Sequence, residues 1–540
     1  MTRVKYVELQ SVYEYCVVYS ALESDLDYII TRYYISFEII SSTGLQIHCH
    51  NKHIAMDPLA KRNIIIVGTK WLTSSPSSSL PLSPPGGGII GTTTAYFLSR
   101  HPKFNPALHR ITILEATSIA AGASGQAGGL LALWAYPSCL VPLSYRLHAE
   151  LAEEHGGATR WGYRKLNCGS IDVTITRESL QAQHQPQPAQ APSSTTTTTT
   201  TATPNGVPGT EETKDWERLP KQDAAAEDLL ADSALPKDLD WVNRAVVDAY
   251  QDMGMPGATE TAQVHPRHFT TSMAALAQER GVQIVTRAKV TKIHSSPSRV
   301  ESVEYLNRDA GTHVTIPDVT DVVVTAGPWT GHVLPKSKVT GLRAHSVVYE
   351  ADVSPHAVFT RVLLPDGYAP PHRAARGRRR RHNRVVDPEI YARPFGEVYA
   401  CGEPDRAVPL PDTADLVRVD DDHCDDLLAY IATFSPTLAA APVKARQACY
   451  LPQREGGPLV GATSVHGLWV AAGHTCWGIQ NGPATGKLMS EFIFDGKPIS
   501  SDISDLDPRR YSRTFLLGVM EMSTSLKRST GETHEYTRRR

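Results

Sequence analysis

No apolar run in this chain reaches the roughly 20 residues that a helix needs to cross a bilayer. Its start lacks the basic segment and apolar core of a secretory signal. Its last residues, EYTRRR, are not a peroxisomal tripeptide of the S-K-L kind. Neither charge is in excess, since 54 Lys and Arg stand against 56 Asp and Glu for a formal net charge of −2. That balance gives no reason to expect nucleic acid or an anionic membrane surface as a partner. The eight cysteines, Cys16, Cys49, Cys139, Cys168, Cys401, Cys424, Cys449 and Cys476, form no C-x-x-C pair and no regular spacing. A disulfide scaffold and a clustered zinc site are thereby excluded, and no metal is expected. A cytoplasmic protein is the remaining expectation, with 540 residues to fill two or three domains.

Several segments read as additions to a regular core. Residues 1–55 are rich in Tyr, Ile and Val but show no clean period and no turn grammar, so they form a poorly defined extension. Met56 reads as the natural start, because MDPLAKRNIIIVG leads straight into a strand; the segment before it is expected to be leader sequence or a gene-model error. Residues 181–215 are polar and of low complexity, which predicts a disordered loop. Residues 371–384, PHRAARGRRRRHNR, form an arginine run expected to be a solvated loop, with anion binding as the lesser option. Residues 516–540 read as a loose tail.

Between these segments, strand and helix signals alternate. RITILE (110–115) is a short β-rich run, and DVVVTAGPW (321–329) and GLWVAAGH (467–474) are apolar strands running into glycine turns. In RHFTTSMAALAQERG, the residues Phe269, Met273, Leu276 and Ala277 fall on one helix face, and Gly281 stands where a C-cap belongs. Such alternation predicts an α/β fold with a mostly parallel sheet.

NIIIVG, residues 63–68, is a buried strand reaching a glycine, and GGGIIG opens a helix at residue 86. Thr69 to Pro85, seventeen residues, separate the two and belong to neither. Without them, Gly86, Gly88 and Gly91 complete a G-x-G-x-x-G turn. Its glycines permit a tight turn, close approach of a pyrophosphate, and close helix–sheet packing, with the phosphates on the positive helix N-terminus. Glu115 closes the next strand, where an acidic side chain accepts ribose hydroxyls in a dinucleotide unit. The intervening stretch is expected to be an aberrant insert, a retained intron or a misplaced exon boundary.

These residues, together with ILEATSIAAGASGQAGGLLAL, VHPRHFTTSMAALAQERGVQIV, VVVTAGPWTG and GLWVAAGHTCWGIQNGPATGKLMSEFIFDG, resemble the D-amino-acid oxidase and glycine oxidase superfamily of FAD-dependent oxidoreductases, most closely its fungal oxidoreductases. The likeness spans roughly residues 62–514. It implies a Rossmann-like FAD-binding domain of the GR2 type, interleaved with an α+β substrate domain built on an antiparallel sheet. The FAD domain would comprise 56–165, 262–335 and 440–515, and the substrate domain 166–261 and 336–439.

The resemblance implies FAD as cofactor. Besides Gly86, Gly88, Ile90, Gly91, Glu115 and Ala116, the second small-residue segment would approach it through Ser124, Ala127, Gly128, Gly129 and Leu130. Val290 would fix the adenine through its backbone, and Gly327 would form the turn beneath it. Gly473, His474, Gly478 and Ile479 would run along the flavin. The following helix would stabilise an anionic reduced ring. Cys449 and Cys476 are conceivable but unsupported covalent anchors.

The implied reaction is hydride transfer to flavin N5 from a small amine or amino acid, with O2 as a candidate acceptor and no dedicated base. Arg446 is the candidate carboxylate clamp. Tyr391, Arg393, His474 and Trp477 are further candidate substrate contacts. The alternative is an FAD-binding protein of the same fold with a regulatory or trafficking role, compatible with peripheral endosomal association. An absorbance spectrum tests the insert. Flavin bands only in a form lacking residues 69–85 and one flanking glycine mean that the insert breaks the phosphate turn; bands in both forms mean that it loops out harmlessly, and bands in neither contradict FAD.

Overall fold

Strand Arg62–Val67 has Ile64, Ile65 and Ile66 wholly buried, as β-branched residues are when both faces of a sheet are covered. The computed structural model describes residues 60–67, 86–183, 234–254, 260–296 and 298–511, with short strands at 14–15, 33–39, 45–50 and 231–232. The suspected insert, the tail and nearly all of the low-complexity loop lie outside these residues. Within 1–55 the described backbone is three antiparallel strands, with Tyr34 opposite His50.

The strand Arg62–Val67 is central in a six-stranded sheet. In spatial order its members are Gln283–Val285, His109–Leu114, Arg62–Val67, Asp321–Val324, Leu468–Ala472 and Leu459–Ala462. All neighbours are parallel except the last pair, a hairpin. Alternation along the strands splits the core in two. Ile64, Ile66, Ile111 and Ile113 face the helices Ile89–Arg100, Pro266–Gln278 and Gly478–Asp495. Ile65, Val67 and Leu114 face an antiparallel meander of the strands Ala288–Ser295, Val300–Asn307 and Thr312–Ile316. Helix Pro266–Gln278 ends as its sequence predicts. Gly281 takes φ +86°, its N–H donates to the Gln278 carbonyl, and the Val282 N–H donates to Ala277, a Schellman closure.

A second, nine-stranded sheet stands over the carboxyl ends of the parallel strands. Its path is Val443–Gln453, Thr340–Glu350, Glu397–Asp405, Glu389–Arg393, His356–Leu363, Asn167–Thr174, Val247–Asp252 and Ala231–Asp232, with Val385–Val386 beside His356–Leu363. Only the pair His356–Leu363 and Asn167–Thr174 is parallel. Strand Val443–Gln453, which the sequence reading placed with the cofactor unit, is the edge of this sheet and pairs with Thr340–Glu350. The chain returns to the parallel sheet only at Leu459. One face of the second sheet packs on helix Asp421–Ala432 through Leu427, Tyr430 and Ile431. The arginine run is largely neutralised by that helix. Arg373 grips the buried Asp426 at 2.5 and 2.6 Å, Arg376 meets Asp422 at 2.7 Å, and Arg381 meets the N-cap Asp420 at 3.5 Å.

Helices Ile89–Arg100 and Gly478–Asp495 touch backbone to backbone. A methyl group on Gly486 would stand 2.5 Å from the Thr93 carbonyl carbon, and the Thr93 hydroxyl donates to the Gly482 carbonyl at 2.8 Å. Gly486→Ala is expected to force the helices apart and destabilise the protein by about 1–3 kcal/mol, as overpacked cores do. The measurement is the unfolding midpoint in denaturant; an unchanged midpoint would refute the close packing.

Candidate functional site

The two sheets enclose a cleft of about 1330 Å³, part of it open to solvent. Two helix N-termini open on it. Helix Ile89–Arg100 starts from Gly88, and its first amide, Ile89 N–H, donates to Ser124 Oγ at 3.0 Å. Helix Gly478–Asp495 starts with no side-chain cap and no acidic residue in its first turn, so its positive end faces the cleft without a counter-charge from its own side chains.

Glycine is required where these walls meet. A Cβ on Gly91 would lie 2.1 Å from the Gly86 carbonyl oxygen, so the turn closes only without a side chain there. Gly473 adopts φ +89° as the strand Leu468–Ala472 turns toward the last helix. Gly128 has no room for a side chain either, because the Tyr391 ring lies 2.5 Å from its Cβ position. The loop 122–129 is tied to the second sheet by Arg393. Its guanidinium donates to the Ala127 carbonyl, pairs with Glu397 at 3.2 Å and lies over the Tyr399 ring at 4.5 Å.

Glu115 is wholly buried, yet its carboxylate does not line the cleft. It accepts the Gly87 N–H at 2.6 Å, and the N–H and hydroxyl of Thr117 at 2.8 and 2.7 Å. Burial pushes its pKa up to about 7 against the pull of these hydrogen bonds. It therefore fastens the glycine turn to the end of its strand; Oε1 is taken by the two Thr117 donors, and Oε2 keeps a second lone pair beyond its bond to Gly87.

Gly88, Ile90, Ser124, Ala127, Gly128, Gly129, Leu130 and Gly327 line the cleft, as do Gly473, His474, Gly478 and Ile479. Gly86, Ala116 and Val290 do not; they are buried just behind it, Val290 in the meander opposite Tyr305. His474 pairs with Thr485 at 3.0 Å, and burial pushes its pKa down to about 3, so the ring is neutral. Three side-chain atoms of wall residues, Thr325 Oγ1, Gln126 Oε1 and Trp477 Nε1, are buried without a partner and suit a polar ligand.

Of the candidate substrate contacts, Tyr391 and Trp477 also reach the cleft. Arg446 does not. Cys449 and Leu451 of its strand face the cleft, so alternation turns Arg446 to the opposite face, where it pairs with Asp425 at 2.5 Å. Arg393 shares the face of Tyr391 but is taken up by Ala127 and Glu397. The sequence reading missed Glu389, although the alternation in EIYAR places it beside Tyr391; both line the cleft, and the Tyr391 hydroxyl donates to Glu389 at 2.5 Å. Cys449 and Cys476 do line the cleft with Cys401, but burial raises all three thiols, Cys449 to about 12, which leaves them poor nucleophiles. On the far face, His345, Asp405 and His423 come together. Asp405 is already gripped by Arg343 at 3.0 and 3.1 Å, and His345 Nε2 accepts the Asp420 N–H, which leaves the ring proton on Nδ1. Asp405 is thus held by an arginine and His345 by a backbone amide.

A glycine turn, a second small-residue loop and two open helix ends around one cleft, with orphaned polar atoms in its wall, suit a long dinucleotide such as FAD. A model of the DAO family, "FAD dependent oxidoreductase", matches residues 86–492. This chain belongs to that family. FAD is accordingly its cofactor.

Curated relatives agree. "Putative oxidoreductase TDA3" of Saccharomyces cerevisiae is 34% identical over 515 residues, covering 80% of this chain and 95% of that protein. "Putative oxidoreductase C1F5.03c" of Schizosaccharomyces pombe is 30% identical over 440 residues, covering 78% and 96%. Among solved structures, glycine oxidase from Geobacillus kaustophilus superposes with a TM-score of 0.52 at 20% identity, over 83% of this chain and 97% of that one. L-proline dehydrogenase from P. horikoshii gives 0.52 at 15%, over 84% and 99%. At these identities the superpositions establish the fold, which is the Rossmann-like α/β arrangement with an antiparallel second sheet that the sequence predicts. Among the described residues no helix is long and apolar enough to cross a membrane.

Arg393→Met keeps the side-chain stem but removes the donor to Ala127. It is expected to weaken FAD binding about 10- to 100-fold, the equivalent of one charged hydrogen bond of roughly 1.5–3 kcal/mol. Titration of flavin fluorescence measures this, and an unchanged affinity would show that other contacts set the loop.

Proposed function

We propose that this chain is an FAD-dependent oxidase or dehydrogenase acting on a small amine or amino acid. The observation that carries the reading is the uncapped N-terminus of helix Gly478–Asp495, which faces the same cleft as the aromatic wall of the second sheet. When bound, FAD supplies the hydride acceptor at N5. The chain's own residues hold and shield the reactants. Gly88, Ser124 and Ile90 would seat the pyrophosphate, and Glu115, behind the turn, would meet the ribose. Gly327 and Val290 would lie toward the adenine end. The amides of Gly478 and Ile479 would oppose negative charge on the ring, where a preorganised dipole in a dry site acts without reorganisation.

Water is kept from the reacting end by packed aromatics. Trp477 meets Trp134 edge-on at 5.5 Å and Tyr136 at 6.2 Å. Neutral His474 adds a polar edge without adding charge. The names of the structural neighbours, glycine oxidase and L-proline dehydrogenase, support C–N oxidation as the reaction class.

The test is anaerobic bleaching of the flavin bands of the FAD-loaded protein against a panel of primary amines, secondary amines and amino acids. At least one class is expected to reduce the flavin within the dead time to minutes of mixing. Intact bands throughout the panel, with FAD bound, would instead favour a non-catalytic regulatory or trafficking role.

A further inference from the structure

The roof of the cleft is written in strand register. Phe359, Glu389 and Cys401 stand side by side on three neighbouring strands, and Tyr391 stands opposite Tyr399 in the next row. All five face the cleft, and Trp477 faces them from the opposite wall. Glu389 is buried at 6% exposure, with the Tyr391 hydroxyl on its Oε2 and the Cys401 sulfur at 3.9 Å. Burial, and then the charge of Glu389, push the Tyr391 phenol and the Cys401 thiol well above their ordinary values.

Among the described residues that line the cleft there is no lysine, arginine or aspartate, and Glu389 is the one acidic side chain. The cations of this sheet are directed elsewhere. Arg446 and Arg343 are on the outer face with Asp425 and Asp405, and Arg393 is bound to Ala127 and Glu397. The roof of the cleft around Glu389, away from the two helix N-termini, thus suits a cation better than an anion. A carboxylate beside aromatic faces is how an ammonium group is held. A second carboxylate brought next to a buried first one is strongly disfavoured.

We infer that Glu389, framed by Phe359, Tyr391, Tyr399 and Trp477, recognises the substrate by its amine nitrogen, and that the substrate is an amine without an adjoining carboxylate rather than an α-amino acid. This rests on the amine-oxidation reading and narrows it. It also explains why no arginine pair for a substrate carboxylate meets the cleft.

The test uses compounds that lack a hydrogen on the amine-bearing carbon, so that binding is read without turnover. tert-Butylamine is compared with 2-aminoisobutyrate, and α,α-dimethylbenzylamine with both enantiomers of α-methylphenylglycine; each pair differs by a methyl group exchanged for a carboxylate. Binding to the FAD-loaded protein is followed by flavin difference spectra and calorimetry. At least one amine is expected to bind about 100-fold more tightly than its carboxylated counterpart. Glu389→Gln is expected to remove most of that preference by weakening the amine, while flavin binding persists. Equal or tighter binding of the amino acids overturns the inference, as does an affinity that Glu389→Gln leaves unchanged, or no amine binding up to millimolar concentration. Should the variant not fold, the wild-type preference decides alone. Glu389-dependent amine binding in a protein whose flavin no substrate bleaches would sink the oxidation reading but not the recognition site.

Discussion

Two helices of this protein start at one cleft because they can lie against each other without side chains between them. Gly482 and Gly486 of the last helix meet Ile89 and Thr93 of the first, and Thr93 hydrogen-bonds across the contact. Backbone contact of this kind fixes the relative height of the two helices, and so the height of their N-termini. Both N-termini therefore open on the same cleft. The central strand, with both faces buried, leads toward the first of them, and the strand Leu468–Ala472 leads into the second. The parallel sheet is thus the platform, and the glycine contact sets its working edge.

Much of this was legible in the chain. Short apolar strands alternating with amphipathic helices gave the α/β class, because a strand buried on both faces must be apolar throughout. The Schellman glycine at 281 and the turn at Gly473 were visible because positive φ is a property of residue type. The glycine-rich walls of the cleft were legible for the same reason, since close approach to backbone requires glycine wherever it occurs. Glu115 was singled out from its spacing, but its bonds to Gly87 and Thr117 depend on how the turn folds over the strand end, which spacing does not show.

The substrate side was harder to read because it is a matter of faces and registers. Arg446 and Cys449 lie three residues apart on one strand and face opposite sides of the sheet. A residue type alone does not say which side it takes, and an arginine near the expected position was an attractive but misdirected candidate. Glu389 sat in a quoted stretch and went unnoticed, since a lone glutamate in a sequence gives no hint that it will line a cleft beside Tyr391. The edge strand Val443–Gln453 was assigned to the wrong sheet because both sheets accept the same β-branched and aromatic residues.

The contact between Gly128 and Tyr391 joins these two halves. The tyrosine ring occupies the space of the missing side chain, so at this point the small-residue loop and the roof of the cleft share a partition one residue thick. Neither compartment can be remodelled alone. A smaller ring at 391 that widened the chamber for a bulkier ligand would also leave the loop beneath it unsupported, and a bulkier residue at 128 would drive the ring into the chamber. Descent with a changed ligand preference is therefore constrained to alter this partition from both sides at once, or to leave it untouched and vary the rows of the sheet farther from the loop.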